Sequence, residues 1–250
     1  MTRISQAMIQ AAGLGRRLRP LTETTPKPLL PIAGTTLIDL AIDTLAENGV
    51  SEIAVNTHYL ADQLTDHLHK RKKPTVYLSH EKELLDTGGG IKKATHKLDQ
   101  TKPLFCLSSD WFWEDRLSSP YFAEMSLNWD DEKMDILQLL IPKSAMDITT
   151  SSGDYHVNDD GRAVRARDKS GDYMWTSVRI FHPRIFENTP DGPFSFLECL
   201  DKAEEQGRLF AICMPDIPSA PWHHISTVKD YEAVRDFLQK KDERPQCANA

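Results

Sequence analysis

The sequence predicts an α/β fold in which helices flank a mixed, mostly parallel, Rossmann-like sheet. Over the first 110 residues, short apolar runs alternate with segments of helical spacing, and the first run, SQAMIQA, leads into a glycine-rich turn. This alternation is typical of strand–helix–strand units, which build parallel sheets. Beyond residue 130 the order is less regular, and the turn Asn158-Asp-Asp-Gly161 predicts a hairpin.

The individual elements follow from the apolar spacing in chain order. We expect strands over residues 5–11, 51–56, 75–79, 104–110, 134–141, 154–157, 163–167, 176–181 and 209–214. Helical spacing predicts helices over residues 36–48, 59–69, 91–98, 196–206 and 228–241. The sequence has no repeat of fixed period and no low-complexity segment. We therefore expect a single domain over residues 1–241, followed by a frayed polar tail over residues 242–250.

Composition argues against several classes of protein. The chain has 250 residues and a formal net charge of −7, and an acidic chain argues against general nucleic-acid binding. No apolar run approaches the roughly 18 residues that cross a bilayer. The four cysteines lie far apart without a C-x-x-C pair, which argues against a zinc finger and a thioredoxin motif. We expect a cytoplasmic protein with unpaired thiols and with no nucleic-acid or membrane partner.

One short segment carries the opposite charge from the rest of the chain. Residues 13–28 have a net charge of +3, from Arg16, Arg17, Arg19 and Lys27 against Glu23. A glycine-rich turn after the first strand is where an open α/β sheet binds phosphate, and guanidinium groups grip phosphate oxygens in pairs. The segment matches neither the Walker loop nor the dinucleotide fingerprint, because Leu18 stands where the third glycine belongs. It is either an anion-binding loop of another kind or a solvated turn with scattered arginines.

A longer pattern in the same segment resembles the signature of a known family. It reads G-x-G-x-R-L-x-P-L-T and then T-P-K-P-L-x-P-I-x-G, matched at Gly13, Gly15, Arg17, Leu18, Pro20, Leu21, Thr22, Pro26, Lys27, Pro28, Leu29, Pro31 and Gly34. This motif resembles that of the sugar-1-phosphate nucleotidylyltransferases. Within that family, Leu85-Asp-Thr-Gly-Gly-Gly-Ile91 resembles the E-T-G-G-G-I stretch of the N-acetylmuramate-1-phosphate uridylyltransferases. The likeness is strong to about residue 115 and looser beyond it.

The resemblance implies a fold, a reaction and its substrates. The fold is that of the nucleotide-diphospho-sugar transferases (GT-A-like), with a nucleotide-binding half over about residues 1–115 and a sugar-binding half over about residues 116–241. The reaction transfers UMP from UTP to a sugar 1-phosphate, here N-acetylmuramate 1-phosphate, and releases pyrophosphate in the course of peptidoglycan recycling. Mannose-1-phosphate guanylyltransferases and other hexose or heptose enzymes share much of the pattern and stay open as alternatives. The oligomeric state stays open as well.

The same resemblance implies roles for individual residues. Arg17 matches the arginine that binds the triphosphate, Lys27 the lysine that bridges the nucleotide and the sugar phosphate, and Asp110 the metal aspartate. A proline on each side of Lys27 restricts its backbone. The implied nucleotide-binding set is Ala12, Gly13, Leu14, Gly15, Arg16, Arg17, Lys27, Asn56, Gly88 and Gly89. Gly88 and Gly89 are expected to let the backbone approach the base and ribose, where a Cβ would clash.

The implied metal is Mg²⁺, and the sequence departs from the family at its second ligand. Mg²⁺ is commonly held by one or two carboxylates and the phosphates of the substrate. Relatives read W-x-D-[VI]-G-T where this chain has Trp222-His-His-Ile-Ser-Thr227, so His224 stands in the place of a metal carboxylate. Only one of His223 and His224 can point into the site, because adjacent strand residues face opposite ways. His224 binds the metal through a water, contacts a substrate phosphate or is structural, and a second carboxylate from elsewhere is a further alternative.

The sugar-binding residues are implied more loosely. Asp168 and Lys169 lie where many relatives carry E-K-P, with Ser170 in place of the proline. A strand that lines the sugar in the family is led into by Tyr173, Trp175, Thr176 and Ser177. Trp111 follows the metal aspartate, where an aromatic ring either stacks on the sugar or belongs to the core. A protein that senses nucleotides without turnover is an alternative of a different class, and the departure at His224 is the feature that favours it.

Overall fold

A nine-stranded sheet organises the part of the chain that the computed structural model describes, residues 4–113, 120–146, 152–216 and 222–242. The strands, including two separate two-stranded ribbons, are β1 (Gln6–Gln10), β2 (Pro31–Ile32), β3 (Thr35–Thr36), β4 (Glu52–Thr57), β5 (Thr75–His80), β6 (Leu104–Ser108), β7 (Trp111–Trp113), β8 (Ile136–Pro142), β9 (Tyr155–Val157), β10 (Ala163–Arg165), β11 (Tyr173–Phe181), β12 (Leu209–Cys213) and β13 (Trp222–His224). The helices are α1 (Leu37–Glu47), α2 (Ala61–Leu68), α3 (Asp86–Thr95), α4 (Pro120–Asn128), α5 (Phe196–Glu205) and α6 (Val228–Asp242).

The sheet is parallel in its first half and mixed in its second. Strands β5, β4, β1 and β6 lie side by side and parallel, in that order. The long strand β11 then pairs antiparallel with β6, β8 and β9, while β12 is parallel to β8 and β10 is antiparallel to β9. The predicted fold class is therefore confirmed. The carboxyl ends of β1, β4 and β6 meet at one edge of the sheet, which is where such sheets place ligands.

Helices cover both faces of the sheet. Ala7 and Ile9 of β1 pack into one apolar cluster with α1, α2 and α4, whereas Met8 packs into another with α3 and α5. Successive strand residues point to opposite faces, so β1 contributes side chains to both layers of the core. No helix within the described residues is both long and apolar enough to span a membrane.

A third apolar cluster joins α6 to the loop that follows β1. Leu18 and Leu30 of this loop are buried against Tyr231 and Val234 of α6. The Tyr231 hydroxyl also donates a hydrogen bond of 2.5 Å to the carbonyl of Pro31. The late helix therefore holds the early loop in place.

The structure corrects several predicted elements. Helix α3 begins at Asp86 and not at residue 91, so the three glycines lie inside its first turns. Strand β6 ends at Ser108, two residues earlier than predicted. The sequence did not indicate β7 or α4, and it indicated β13 only through the expected alternation of His223 and His224. The hairpin prediction is confirmed, since β9 and β10 pair across a turn in which the Gly161 amide donates to the Asn158 carbonyl at 2.9 Å.

The predictions on cysteines and on the tail are tested only in part. Cys106, Cys199 and Cys213 are free thiols, and burial raises the pKa of Cys106 and of Cys199 to about 11. Asp242, where the predicted tail begins, is the last residue of α6. Cys247 and the rest of that tail lie outside the described residues.

Candidate functional site

Two adjoining cavities open at the edge where β1, β4 and β6 end. The first has a volume of about 590 Å³, and its wall combines the loop after β1 with Lys27, the end of β4 and the start of α3. The second, of about 480 Å³, lies toward β11 and β13. Gln10, Arg17, Ser108 and Asp110 line both cavities, so the two form one continuous site around Asp110.

The loop after β1 is held open by local hydrogen bonds. Gly15 adopts a φ of +61°, a conformation that favours glycine, and a Cβ there would meet the Thr22 Cγ2 at 2.9 Å. The Thr22 hydroxyl donates to the Gly15 carbonyl at 2.8 Å. Ala12, Gly13 and Leu14 line the first cavity between these anchors. The loop therefore presents backbone to the cavity, as an anion-binding loop requires.

Arg17 extends from a short 3₁₀ turn, Arg16–Leu18, toward both cavities. The turn is anchored by Leu18, whose side chain is 1% exposed. Within the described part of the chain, neither Arg16 nor Arg17 forms an ion pair, and both are exposed. Their guanidinium groups are available to a ligand, although Arg16 lines neither of the two cavities.

Lys27 and Asp110 form an ion pair at the junction of the two cavities. The Lys27 Nζ lies 3.0 Å from the Asp110 Oδ2, and each side chain is only about one-sixth exposed, at 16% and 17%. Pro26 and Pro28 flank the lysine in a 3₁₀ turn, Lys27–Leu29. The prolines restrict the backbone and fix the direction in which the ammonium points.

The Asp110 carboxylate is strongly held in its charged form. Burial acts to raise its pKa, but the Lys27 ammonium, and after it the His224 ring and the Ser108 hydroxyl, hold the pKa well below its usual value. Ser108 and Ser177 both donate to Oδ1, the latter at 3.1 Å. Asp110 therefore stays an anion throughout the range in which ordinary aspartates remain ionised.

His224 reaches the same carboxylate from a separate two-stranded ribbon. Strand β13 pairs antiparallel with β7, which opposes His224 to Trp111, and the Ile225 amide donates to the Asp110 carbonyl at 2.7 Å. The His224 Nε2 lies 3.7 Å from the Asp110 Oδ2. His223 points the other way and packs against Phe237. The expectation that only one of the two histidines enters the site is confirmed.

Asn56 supports the cavity wall from the end of β4. Its Oδ1 accepts from the Ala11 amide at 2.8 Å, and its Nδ2 donates to Glu81 at 2.7 Å. The other carboxylate oxygen of Glu81 accepts from the Leu85 amide at 3.1 Å. This buried network joins the loop after β1 to the start of α3. Asn56 lines the cavity, but most of its hydrogen-bonding capacity is used within the protein.

The structure gives Gly88 and Gly89 a different role from the predicted approach to the base and ribose. A Cβ on Gly88 would lie 2.4 Å from the Phe194 ring, and one on Gly89 would lie 2.1 Å from the Gly192 carbonyl oxygen. The amides of both glycines donate to the Phe194 carbonyl. These glycines face the segment before α5 and line neither of the two cavities, so they permit close packing of α3. Asp86 and Thr87, just before them, line the first cavity.

The predicted sugar-side residues fall into two groups. Trp175 lines the second cavity, and Lys169 reaches its wall through an ion pair of 2.7 Å with Asp154. Trp111 is 2% exposed and packs edge-on against Trp113, so its ring belongs to the core and cannot stack on a sugar. Thr176 is fully buried and donates to the Leu139 carbonyl, away from the cavity.

Asp168 lies outside both cavities, with its carboxylate bonded to the amide and the hydroxyl of Ser170. Sequence reasoning did not select two polar residues that shape the site, Asp154 and Glu81, whereas it expected Ser177 on the strand that lines the sugar. Ser177 and Asp154 line the second cavity, and Glu81 lines the first. Asp154 precedes the hairpin strand β9, and Glu81 follows β5, so position relative to a strand is the signal that marks both.

Comparison with known proteins identifies the family. Residues 6–147, more than half of the chain, match the family described as nucleotidyl transferase. An N-acetylmuramate alpha-1-phosphate uridylyltransferase of Caulobacter vibrioides is 34% identical over 226 residues, which cover 88% of this chain and 90% of that protein. This chain belongs to the nucleotidyl transferase family. A second N-acetylmuramate alpha-1-phosphate uridylyltransferase, from Neisseria meningitidis serogroup B, is 30% identical and covers 75% of this nucleotidyl transferase and 79% of its own length.

Solved structures show the same fold for this nucleotidyl transferase. A UDP-glucose pyrophosphorylase complexed with UDP-glucose superposes with a TM-score of 0.74 at 18% identity, covering 95% of this chain and 99% of the other. An inositol-1-phosphate CTP transferase from T. maritima gives a TM-score of 0.74 at 19% identity, covering 98% and 99%. At these identities the likeness concerns the fold. The family resemblance and the enzyme class expected from the loop motif are confirmed.

Proposed function

We propose that this enzyme transfers UMP from UTP to N-acetylmuramate 1-phosphate, giving UDP-N-acetylmuramate and pyrophosphate, in the cytoplasm and in the service of peptidoglycan recycling. The observation that carries the proposal is the 34% identity to the Caulobacter uridylyltransferase along nine-tenths of that protein. The site agrees in its chemistry, because two cations and one carboxylate converge where two cavities meet. One cavity is available for each substrate.

The reaction exchanges one phosphoanhydride bond for another. A phosphate oxygen of the sugar 1-phosphate attacks the α-phosphorus of UTP, the bond from that phosphorus to the bridging β-oxygen breaks, and pyrophosphate leaves with the electron pair. The chain supplies no covalent intermediate in this scheme, so its contribution is orientation and charge neutralisation. Arg17 binds the triphosphate and stabilises the leaving pyrophosphate. Lys27 lies at the junction of the cavities, where it binds phosphate oxygens of both substrates.

The first cavity holds the nucleotide in this proposal. The backbone of Ala12, Gly13, Leu14 and Gly15 contacts the phosphates, and Arg16 adds positive charge near them. Asn56 holds this loop at the correct distance from the start of α3 through its bonds to Ala11 and Glu81. The second cavity holds the sugar, with Trp175 as its apolar wall and the Asp154–Lys169 pair as its polar side.

Enzymes of this family generally use a divalent metal ion, and the donors at the site fit Mg²⁺ only if the substrates complete its coordination. The described residues contain no group of three or more acidic, histidine or cysteine side chains that could enclose a metal. They do contain Asp110, a carboxylate held in its charged form at the junction of the cavities. Mg²⁺ is commonly held by one or two carboxylates together with phosphate oxygens.

Asp110 would hold the ion, with His224 beside it as an orienting neighbour or a contact through water. Imidazole is a softer ligand than Mg²⁺ prefers, which favours the indirect role for His224. When bound, the metal withdraws charge from the phosphates of the nucleotide. The chain's own contribution is to keep Asp110 ionised and correctly oriented.

The direct test compares nucleotides and sugars on the purified enzyme. Pyrophosphate release is measured with UTP, GTP, CTP, ATP and dTTP, each with N-acetylmuramate 1-phosphate and with mannose 1-phosphate, and the product is identified by mass spectrometry. We expect UTP to give the highest kcat/KM and UDP-N-acetylmuramate to be the product. A preference for GTP with mannose 1-phosphate would overturn the uridylyl proposal while leaving the family intact. Asp110→Asn serves as the inactive control.

The guanylyl alternative has weaker support. A mannose-1-phosphate guanyltransferase beta-B of Xenopus laevis is 33% identical, but over 109 residues that cover only 42% of this chain. A match of that length leaves more than half of this chain without comparison. We extend the proposal to the domain organisation, with residues 1–241 as one domain whose halves bind nucleotide and sugar.

A further inference from the structure

Strand β11 contains an irregularity beside Asp110. Along its pairing with β8, Trp175 opposes Leu140 and Arg179 opposes Gln138, so four steps on β11 match two on β8. The extra residues form a bulge, which bends the strand and changes the direction of its side chains. Ser177 lies at the centre of this bulge with a φ of +67°.

A φ of this sign is unfavourable for serine. The left-handed conformation brings the Cβ too close to the following carbonyl, at a cost that only glycine avoids. Such strain persists where the surrounding structure enforces it and is concentrated at functional sites. The neighbouring Thr176 enforces it here, because its hydroxyl donates to the Leu139 carbonyl at 2.9 Å and fixes the bulge to β8.

The strained conformation places the Ser177 hydroxyl on Asp110. The Ser177 Oγ donates to the Asp110 Oδ1 at 3.1 Å, and its side chain is buried at 4% exposure. Ser108 donates to the same oxygen from β6. The other oxygen, Oδ2, faces the Lys27 ammonium at 3.0 Å. The two carboxylate oxygens therefore have distinct surroundings, hydroxyls on Oδ1 and the Lys27 ammonium with the His224 ring on Oδ2.

We propose that Ser177 is a positioning residue, whose hydroxyl fixes the rotation of the Asp110 carboxylate so that Oδ2 stays on the side of Lys27. A glycine would form the same bulge without strain, so the chain accepts the unfavourable φ for the hydroxyl. A carboxylate with two donors on one oxygen cannot turn its plane without breaking those hydrogen bonds. This inference rests on the proposed function, since the orientation matters for phosphates bound between Lys27 and Asp110.

Two substitutions separate the hydroxyl from the strain. Ser177→Gly removes the hydroxyl and relieves the backbone, whereas Ser177→Ala removes the hydroxyl and keeps the Cβ at positive φ. We expect both to lower kcat by about ten- to a hundredfold, the usual effect of losing a hydrogen bond to a charged group, with KM for UTP unchanged. The melting temperature of Ser177→Gly should exceed that of Ser177→Ala, because both variants lack the hydroxyl and only glycine relieves the strain. If Ser177 had a purely structural role, kcat would follow stability and Ser177→Gly would be faster than Ser177→Ala.

The matched control removes a serine–aspartate hydrogen bond outside both cavities. The Ser144 hydroxyl donates to Asp216 at 2.6 Å, and Ser144→Ala is expected to leave kcat and KM unchanged. A second readout does not depend on turnover, namely crystal structures of the wild type and of Ser177→Gly. We expect one orientation of the Asp110 carboxylate in the wild type and a rotated or doubled orientation in the variant.

The outcomes are distinguishable. A Ser177→Gly variant with wild-type kcat, or with an Asp110 carboxylate in the wild-type orientation, overturns the inference. A wild type without turnover on any nucleotide overturns the proposed function instead, and the crystallographic comparison still decides the role of Ser177.

Discussion

Replacing Gly89 by alanine tests whether the glycines of α3 serve packing or the nucleotide. The new Cβ would lie 2.1 Å from the Gly192 carbonyl oxygen, so helix and segment must separate by more than about 1 Å to reach ordinary contact. That movement stretches the two hydrogen bonds from Gly88 and Gly89 to the Phe194 carbonyl, at 2.8 and 3.2 Å. Overpacking and the weakened hydrogen bonds destabilise the protein by more than the higher helix propensity of alanine stabilises it. We expect a net loss of about 2–4 kcal/mol in the free energy of unfolding.

The assay is thermal and urea unfolding of Gly89→Ala beside the control Gly13→Ala. A loss of that size lowers the melting temperature of a chain this long by about 5–15 °C. A Cβ on Gly13 has nothing within 4 Å, so Gly13→Ala should stay within about 0.5 kcal/mol of the wild type and weaken UTP binding instead. Gly89→Ala at wild-type stability but with weakened UTP binding would refute the packing argument and restore the predicted contact with the base.

Three further predictions concern buried polar groups. Lys27→Met removes the ammonium that lowers the pKa of Asp110. In the wild type, the ionised Asp110 contributes stability that is lost as the pH falls below about 4. The free energy of unfolding of the variant should therefore decline less than that of the wild type between about pH 5 and 3. An equal decline in the free energy of unfolding of the two proteins, measured by urea unfolding over that pH range, would contradict this. Asn56→Leu leaves the Ala11 amide unpaired and should lower the free energy of unfolding by about 1–3 kcal/mol. It should also raise the Kd for UTP measured by calorimetry. A variant with the stability and the Kd of the wild type would show that Asn56 does not support the loop. Arg179 is buried between the rings of Trp175 and Phe196, at 3.9 and 4.3 Å, with its Nε and Nη1 unpartnered. Arg179→Met should therefore keep or raise the melting temperature, and a fall of more than about 5 °C would reveal a partner for the charge.

The sequence predicted the parallel half of the sheet well, for a physical reason. Strands β1, β4 and β6 are mostly buried and bounded by turn residues, so the apolar spacing marks them clearly, and the more exposed β5 is marked by its β-branched and aromatic residues. Helix α3 was placed five residues too late because three successive glycines have low helix propensity. Tertiary contacts override that propensity, since the Phe194 carbonyl accepts from two of the first amides of the helix.

The candidate site was likewise predictable from the sequence only in part. The loop motif located Arg17 and Lys27, the family resemblance located Asp110, and the structure brings all three to one cavity edge. The motif could not reveal that Ser177, and not Thr176, faces the cavity. Strand alternation gives the facing of side chains only where the register is regular, and the bulge in β11 interrupts it. The sequence did not decide the role of Trp111, because an aromatic residue next to a site can also pack into the hydrophobic core.

The contact between α6 and the loop after β1 has a consequence for the order in which the protein matures. The Tyr231 hydroxyl and the Pro31 carbonyl are joined across 200 residues of chain. While the ribosome is still making the region around Tyr231, Leu18 and Leu30 have their early neighbours Ile32, Leu37 and Leu40 but lack Ile225, Tyr231 and Val234. A nascent chain can therefore assemble its parallel strands early, but the loop after β1 becomes rigid enough to bind a triphosphate only once α6 has been synthesised.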